Sequence, residues 1–137
     1  SPQFDAATAK DAGRVQVFSA SGGDSAALLV LEGTAAGDRL GSAVAAANNH
    51  WAVGEPGADV PEVKDGGRVM LFESLVTTPT RILNGDQAGA AYGSALGMAD
   101  FNGDGVADIA IGARLRDVGN PLLKDAGGVE FINGSGY

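Results

Sequence analysis

A chain of 137 residues, 45% hydrophobic and 19% charged, has enough apolar content to bury a core and too little charge for a disordered segment. Its net charge of −8 argues against nucleic-acid binding through phosphates, which needs clustered Lys and Arg, and its lack of cysteine excludes disulfides, thiolate nucleophiles and zinc–thiolate centres. The 22 glycines lack collagen's every-third spacing and suit short strands joined by turns, while no apolar run reaches the roughly 20 residues of a membrane span.

The amino terminus has no basic-then-apolar signal pattern, so any export signal is expected to have been removed or never included. The first predicted strand covers 13–19, where Lys10-Asp11-Ala12-Gly13 makes a turn and Val15 and Val17 alternate as on a half-buried strand. A second is expected at 26–31. Strands at 40–47 and 50–54 follow, joined by a plain turn around Ala47-Asn48-Asn49-His50. The first pattern then returns: Lys64-Asp65-Gly66-Gly67-Arg68-Val69-Met70-Leu71-Phe72 opens a strand at 67–73, followed by one at 79–83. Strands are predicted again at 92–99 and 107–112, and a third copy, Lys124-Asp125-Ala126-Gly127-Gly128-Val129-Glu130-Phe131, opens the last at 127–133.

Labelled a to d within each repeat, the order is c-d, a-b-c-d, a-b-c. This divides the chain into a partial unit at about 1–33, a full unit at 34–85 and a third at 86–137. Units of 50 to 60 residues with four strands have the size of propeller blades. Two to three blades do not close a ring, so the expectation is a piece of a longer propeller or self-association in which other chains complete it. The repeats also differ in one informative way. Leu31-Glu32-Gly33 and Leu83-Asn84-Gly85 lie 52 residues apart, whereas Ala52-Val53-Gly54 and Ala110-Ile111-Gly112 lie 58 apart. Six residues are therefore inserted in the second a–b hairpin.

The insertion falls on Asp100-Phe101-Asn102-Gly103-Asp104-Gly105-Val106-Ala107-Asp108, with oxygen-bearing side chains at Asp100, Asn102, Asp104 and Asp108 and the Val106 carbonyl in the remaining odd position. Calcium takes six to eight oxygens, and a loop with ligands at alternate positions can wrap one ion. Magnesium holds its waters and avoids all-protein cages, so Ca2+ is the expected cofactor. An EF-hand is excluded because its twelfth position must be Glu and here is Ile111. The competing account is a ligand-free set of Asx-turns.

Tyr92-Gly93, then Asp100-x-Asn102-x-Asp104-Gly105-x-x-Asp108, then Ile111-Gly112-Ala113, resembles the FG-GAP repeat of integrin α-subunit propellers. Leu40-Gly41 with Gly54-Glu55-Pro56 resembles a repeat without its metal loop, while Leu40 and Tyr92 replace Phe and Arg114 replaces Pro. The resemblance implies an all-β, seven-bladed β-propeller of FG-GAP type, with calcium on loops at one face and ligand recognition on the other. It also implies a non-catalytic module for binding or adhesion, secreted or at the cell surface, with a protein or glycan ligand. A lectin-like propeller using Trp51, and an accessory part of a secreted hydrolase, are the alternative readings.

Among other residues, His50 is the lone histidine and is expected to be structural. Gly93-Ser94-Ala95 recurs as Gly41-Ser42-Ala43, so it belongs to the scaffold and not to a nucleophile elbow. Asp5, Asp59, Glu62 and Asp117 lie in b–c loops without a recognisable pairing. Arg14, Arg68, Lys10, Lys64 and Lys124 recur at equivalent places and are expected to pair with neighbouring Asp residues. The b–c segments 57–63 and 115–123 differ most between copies and are the candidate partner loops.

Overall fold

The computed structural model describes residues 1–7, 9–20, 26–119 and 121–136. Among these residues are nine strands in three antiparallel sheets and a single 3-10 turn, the architecture of partial propeller blades with no closed ring. Strands β1 (Arg14–Val17) and β2 (Leu29–Glu32) form the first sheet. The second runs β3 (Ala43–Ala47), β4 (His50–Glu55), β5 (Arg68–Glu73) and β6 (Arg81–Asn84) in chain order. The third runs β7 (Tyr92–Ala99), β8 (Asp108–Ala113) and β9 (Gly128–Ile132). The strands thus follow c-d, a-b-c-d, a-b-c, although strand a of the second sheet begins at Ala43 and not at 40. Leu40 is instead held outside the ladder by a parallel bridge to Gly13. Among the described residues no helix is long and apolar enough to cross a membrane.

The period of two puts alternate side chains on the two faces of each sheet, and adjacent sheets bury them against each other. Between the second and third sheets lie Val69, Leu71, Tyr92, Ile109 and Ile111, all almost fully buried. Between the first and second lie Leu40, Val53 and Phe72, with Val15, Leu31 and Trp51 against them. Each fully buried Val, Leu, Ile or Phe contributes about 1.5–3 kcal/mol, so these two seams dominate the apolar stabilisation. The backbones also meet at the seam: a Cβ on Gly54 would lie 2.0 Å from the Gly93 carbonyl oxygen, a distance no side chain tolerates. Gly93 itself has φ of +83°, a left-handed conformation open to glycine at little steric cost.

Backbone bonds repeat from one unit to the next, within the sheets and between them. Gly33 N–H donates to the Gly13 carbonyl (2.9 Å) and Gly85 N–H to Gly67 (2.8 Å); Leu40 N–H donates to Ala12 (2.8 Å) and Tyr92 N–H to Gly66 (3.3 Å). The recurring arginines are paired, but not with neighbouring aspartates. Arg14 binds Glu32 across β1 and β2 at 2.6 Å, and the Arg68 guanidinium binds Glu55 across β5 and β4. The strand ladder sets these partners, because Arg14 faces Glu32 and Arg68 faces Glu55 in register. Among the described residues Lys10, Lys64 and Lys124 enter no ion pair.

The second blade holds a buried charged set that the third lacks. Glu55 and Asp38 are 1% and 7% exposed, and their sequence equivalents in the next repeat are Ala113 and Ala90. Burial, and then the Glu55 charge, push the Asp38 carboxyl up to about 6, against the pull of Arg68; Asp59 and Asp65 add to the rise. Since the folded value exceeds the ordinary 3.8, Asp38 favours the fold most fully below about pH 3.8, and that contribution is lost as pH rises through about 6. Asp38→Asn is expected to match the parent near pH 4 and to melt higher than it at pH 7. A thermal melt series from pH 4 to pH 8 checks this; parallel curves for the two proteins would show that Asp38 is not the titrating group.

Candidate metal centre

The two a–b hairpins start from the same ladder and differ in their links. Ala47 pairs with His50 across the two residues 48–49, whereas Ala99 pairs with Asp108 across the eight residues 100–107. The difference is the six-residue insertion, and it projects from the end of the sheet with Asp100, Asn102 and Asp104 all exposed. Gly103 and Gly105 have φ of +79° and +86°, the turns that let a loop this short fold back on itself.

Inside the loop the carboxylates are wrapped in backbone amides. Asp100 Oδ1 accepts from Gly103 N–H (2.7 Å) and Asp104 N–H (3.0 Å), and its Oδ2 from Gly105 N–H (2.8 Å). Asn102 Oδ1 accepts from Asp104 N–H at 2.9 Å, and its amide donates to Asp104 Oδ2 at 2.9 Å. Asp104 Oδ1 accepts from Val106 N–H at 2.8 Å. That bond, with the Asn102 and Asn133 amides, holds the Asp104 carboxylate below its ordinary value. The Asx-turns of the competing reading are therefore present.

Asp108 has a different place. It is 4% exposed; its Oδ2 accepts from Phe101 N–H (2.9 Å) and its Oδ1 from Gly134 N–H (2.9 Å). One carboxylate thus ties the start of the loop and the segment after β9 to the first residue of β8. The metal-free hairpin has a neutral counterpart: Ser74 N–H donates to the Asn49 carbonyl (2.8 Å) and the Asn49 amide to Ser74 Oγ (2.8 Å). Asn133 and Gly134 were not among the sequence-predicted residues. A Cβ on Gly134 would meet the Ala107 oxygen at 2.1 Å, and the repeat position of Gly134, aligned with Ser74, is the signal that could have found it.

The donor set is oxygen throughout, the chemistry of a hard cation such as calcium. Asp100, Asn102, Asp104 and Asp108 come together in one loop, with Val106 at its far turn. Among the described residues no three His, Cys, Asp or Glu side chains converge on a common point as a metal-holding group. A carboxylate has about four acceptor positions, and the bonds above leave some of them on each of Asp100, Asp104 and Asp108. By their chemistry the residues fit a calcium ion. In the structure the side-chain oxygens accept from amides of the loop and, at Asp108, also from Gly134.

The remaining candidates lie elsewhere. Trp51 stacks on Phe72 (4.1 Å between ring centres, 14° apart) and donates through Nε1 to the Ser74 carbonyl at 2.7 Å. Asp5, Asp59 and Asp117, without an evident pairing in sequence, accept from the N–H of Asp11, Asp65 and Asp125 at 2.7, 2.8 and 2.8 Å. The three donors, Asp11, Asp65 and Asp125, all have positive φ, so the same capped turn closes every b–c loop among the described residues. The six-residue spacing of the first two pairs was the legible signal. Glu62 is exposed with φ of +64°. Both variable b–c segments are small hairpins, bridged at Val60–Val63 and Val118–Leu123, with Asn120 outside the described residues. Tyr92, in the position of the expected Phe, donates its hydroxyl to Glu130 at 2.6 Å; burial and that carboxylate push the phenol well above its usual range.

Comparison with known proteins agrees with this geometry. The FG-GAP repeat family matches residues 92–129, which contain the loop. Integrin alpha-3 of Cricetulus griseus is 36% identical over 114 residues, covering 75% of this chain and 11% of the relative. Integrin alpha-3 of Mus musculus matches equally. Human phosphatidylinositol-glycan-specific phospholipase D is 39% identical over 94 residues, covering 61% of this chain and 11% of that protein. The chain spans about a tenth of the length of these curated relatives.

Proposed function

The chain carries an FG-GAP repeat, and on that premise we propose that it is a calcium-stabilised, non-catalytic propeller module for binding outside the cytoplasm. The observation that supports this most directly is the all-oxygen loop at 100–108, inserted in one blade and anchored by the buried Asp108. Asp100, Asn102, Asp104, the Val106 carbonyl and Asp108 would hold the ion, which supplies charge neutralisation and fixes the loop. The chain's residues do the rest: Asp108 joins β8 to the residues after β9, and the glycines turn the loop.

A structural role for the ion is supported by the loop's place in the β7–β8 hairpin, which Asp108 ties to the segment after β9. Ser42 and Ser94, the hydroxyls nearest a nucleophile motif, are hydrogen-bonded to backbone carbonyls of Arg39 (2.9 Å) and Gly112 (3.2 Å), which supports a scaffold role. Export is proposed on calcium supply: modules with Kd of about 10⁻⁴–10⁻³ M fill only where calcium is near millimolar. A protein or glycan ligand outside the cell is the proposed partner class, with adhesion as the proposed role.

Calcium titration by calorimetry is expected to show one site, with the melting temperature rising in step. At 100 times the Kd the gain is about 2.7 kcal/mol. Asp104→Ala, whose side chain is exposed, is expected to lose the calcium response and to keep the calcium-free melting temperature. Native protein giving neither calcium heat nor a calcium-dependent melt would refute the proposal.

A further inference from the structure

Asparagine followed by glycine occurs three times, at Asn84-Gly85, Asn102-Gly103 and Asn133-Gly134. In this dipeptide the glycine nitrogen can attack the asparagine side-chain carbonyl, because no Cβ on the second residue stands in the way. Closing that ring turns the backbone around both residues. It therefore needs space beside the glycine and a main chain that is not held in place. All three asparagines are exposed, yet the fold gives their glycines different surroundings.

Gly85 and Gly134 are shut in. Gly85 is buried, its N–H donates to the Gly67 carbonyl at 2.8 Å, and a Cβ there would lie 2.2 Å from the Gly66 oxygen. Asn84 before it is fixed in β6 opposite Arg68. Gly134 is buried as well, with its N–H on Asp108 Oδ1 at 2.9 Å and its Cβ position 2.1 Å from the Ala107 oxygen. Gly103 is exposed, and nothing lies within 4 Å of where its Cβ would be. It sits in the link between β7 and β8, outside the ladder, and its N–H donates to the exposed Asp100 at 2.7 Å. The Asn102 carbonyl is prepared too. Its Oδ1 accepts from Asp104 N–H at 2.9 Å, a donor placed for the negative charge that grows on that oxygen as a nucleophile adds. Asn133 has a similar bond from Ser135 N–H at 2.8 Å, so the surroundings of the glycine are what separate these two sites.

We propose that Asn102 is a site of spontaneous deamidation in the folded chain, with water as the co-reactant, and that the fold protects Asn84 and Asn133. The Gly103 nitrogen gives its proton to solvent and bonds to Asn102 Cγ. The Cγ–Nδ2 bond breaks, the departing nitrogen takes a proton and leaves as ammonia, and a succinimide ring remains. Water then adds to either ring carbonyl. Opening at Cγ leaves aspartate, and opening at the main-chain carbon leaves isoaspartate, whose peptide link runs through the side chain. Nothing is oxidised or reduced. Either product turns a neutral donor of the loop into a carboxylate beside Asp100 and Asp104. Isoaspartate also lengthens the main chain by a carbon between Phe101 and Gly103, which an exposed loop absorbs without moving the ladder. Asn102 Oδ1 is among the atoms proposed to hold calcium, and on that reading the bound ion fixes the carbonyl and slows the reaction. The modification site itself does not depend on that reading.

The full chain is aged near neutral pH in EDTA, and in parallel in urea that unfolds it, and peptides spanning the three sites are followed by mass spectrometry. In the native chain Asn102 is expected to react at least about tenfold faster than Asn84 or Asn133, a barrier difference of about 1.4 kcal/mol. In urea the three rates are expected to converge, because the unfolded chain keeps none of the contacts above. The aged native protein is expected to release ammonia, to carry isoaspartate at 102 and to gain an acidic form that coelutes with Asn102→Asp on ion exchange. Asn102→Gln is expected to stay free of that form over the same period. Loss at Asn84 or Asn133 as fast as at Asn102 in the native chain, or an intact Asn102 where the unfolded chain reacts, would overturn the proposal. A third sample in calcium keeps the metal reading separate. Selective reaction at Asn102 at the same rate in calcium and in EDTA would uphold the site and count against calcium on the loop.

Discussion

Asp108→Ala is expected to lower the melting temperature in calcium-free buffer by about 10 °C and to remove the calcium response as well. The carboxylate is 4% exposed and its two oxygens satisfy Phe101 N–H and Gly134 N–H. Removing it leaves two amides without partners, the Gly134 one in a buried place, at about 1–3 kcal/mol each. Roughly 3 kcal/mol in all, in a domain of this size, corresponds to a shift near 10 °C. The measurement is a thermal melt by circular dichroism with EDTA and again with calcium. Comparison with Asp104→Ala separates two roles within one loop, because that exposed carboxylate is expected to matter only when the ion binds. A melt for Asp108→Ala within a degree or two of the parent would mean that the clamp is dispensable and that the strand ladder alone closes the hairpin.

Arg68→Met is expected to destabilise by about 3–5 kcal/mol, because it leaves Glu55 buried at 1% exposure with its charge uncompensated. Arg14→Met, which breaks the equivalent pair one blade earlier, is expected to cost less than about 1 kcal/mol, since Glu32 is 47% exposed and keeps its water. The two variants make one experiment, with the same residue in the same repeat position and burial as the variable. Urea denaturation of both reads the difference directly. The third blade indicates the rescue: Asp38→Ala, Glu55→Ala and Arg68→Gly together reproduce the residues found at Ala90, Ala113 and Gly128. That triple variant is expected to be markedly more stable than Arg68→Met alone. There the chain has already replaced the charges, and the Arg116 side chain packs against Gly128, 3.1 Å from where its Cβ would be. Equal costs for Arg68→Met and Arg14→Met would mean that the burial of Glu55 carries no penalty.

Much of the fold was legible because a repeat states its rules more than once. The alternation of Val15 and Val17, Val69 and Leu71, and Val129 and Phe131 marks three strands of one kind, and the step from 52 to 58 places the insertion between the first two strands of the last unit. What stayed hidden depends on contacts across the ladder or between sheets. The partners of Arg14 and Arg68 are glutamates 18 and 13 residues away in sequence, fixed by register and not by adjacency. Gly134 reaches Asp108 from 26 residues away, after the last strand has crossed the sheet. The loop residues were legible as oxygen donors, but not the amides that hold them, since an Asx-turn and a metal loop use the same residues. Phe18 and Phe72 hold the same repeat position, yet Phe18 is 51% exposed and Phe72 is fully buried beneath β4, a difference that the sequence does not carry.

The contact between Gly54 and Gly93 has a consequence for how the molecule could change over time. Where two sheets meet through side chains, their spacing and tilt drift as those side chains are exchanged. Here the backbones touch with no Cβ between them, so the separation is set by the thickness of the peptide chain itself. The angle from one sheet to the next is thereby insulated from substitutions on either side. Loops can lengthen, charges can be replaced by alanine and a metal site can come or go, while successive units keep the same pitch.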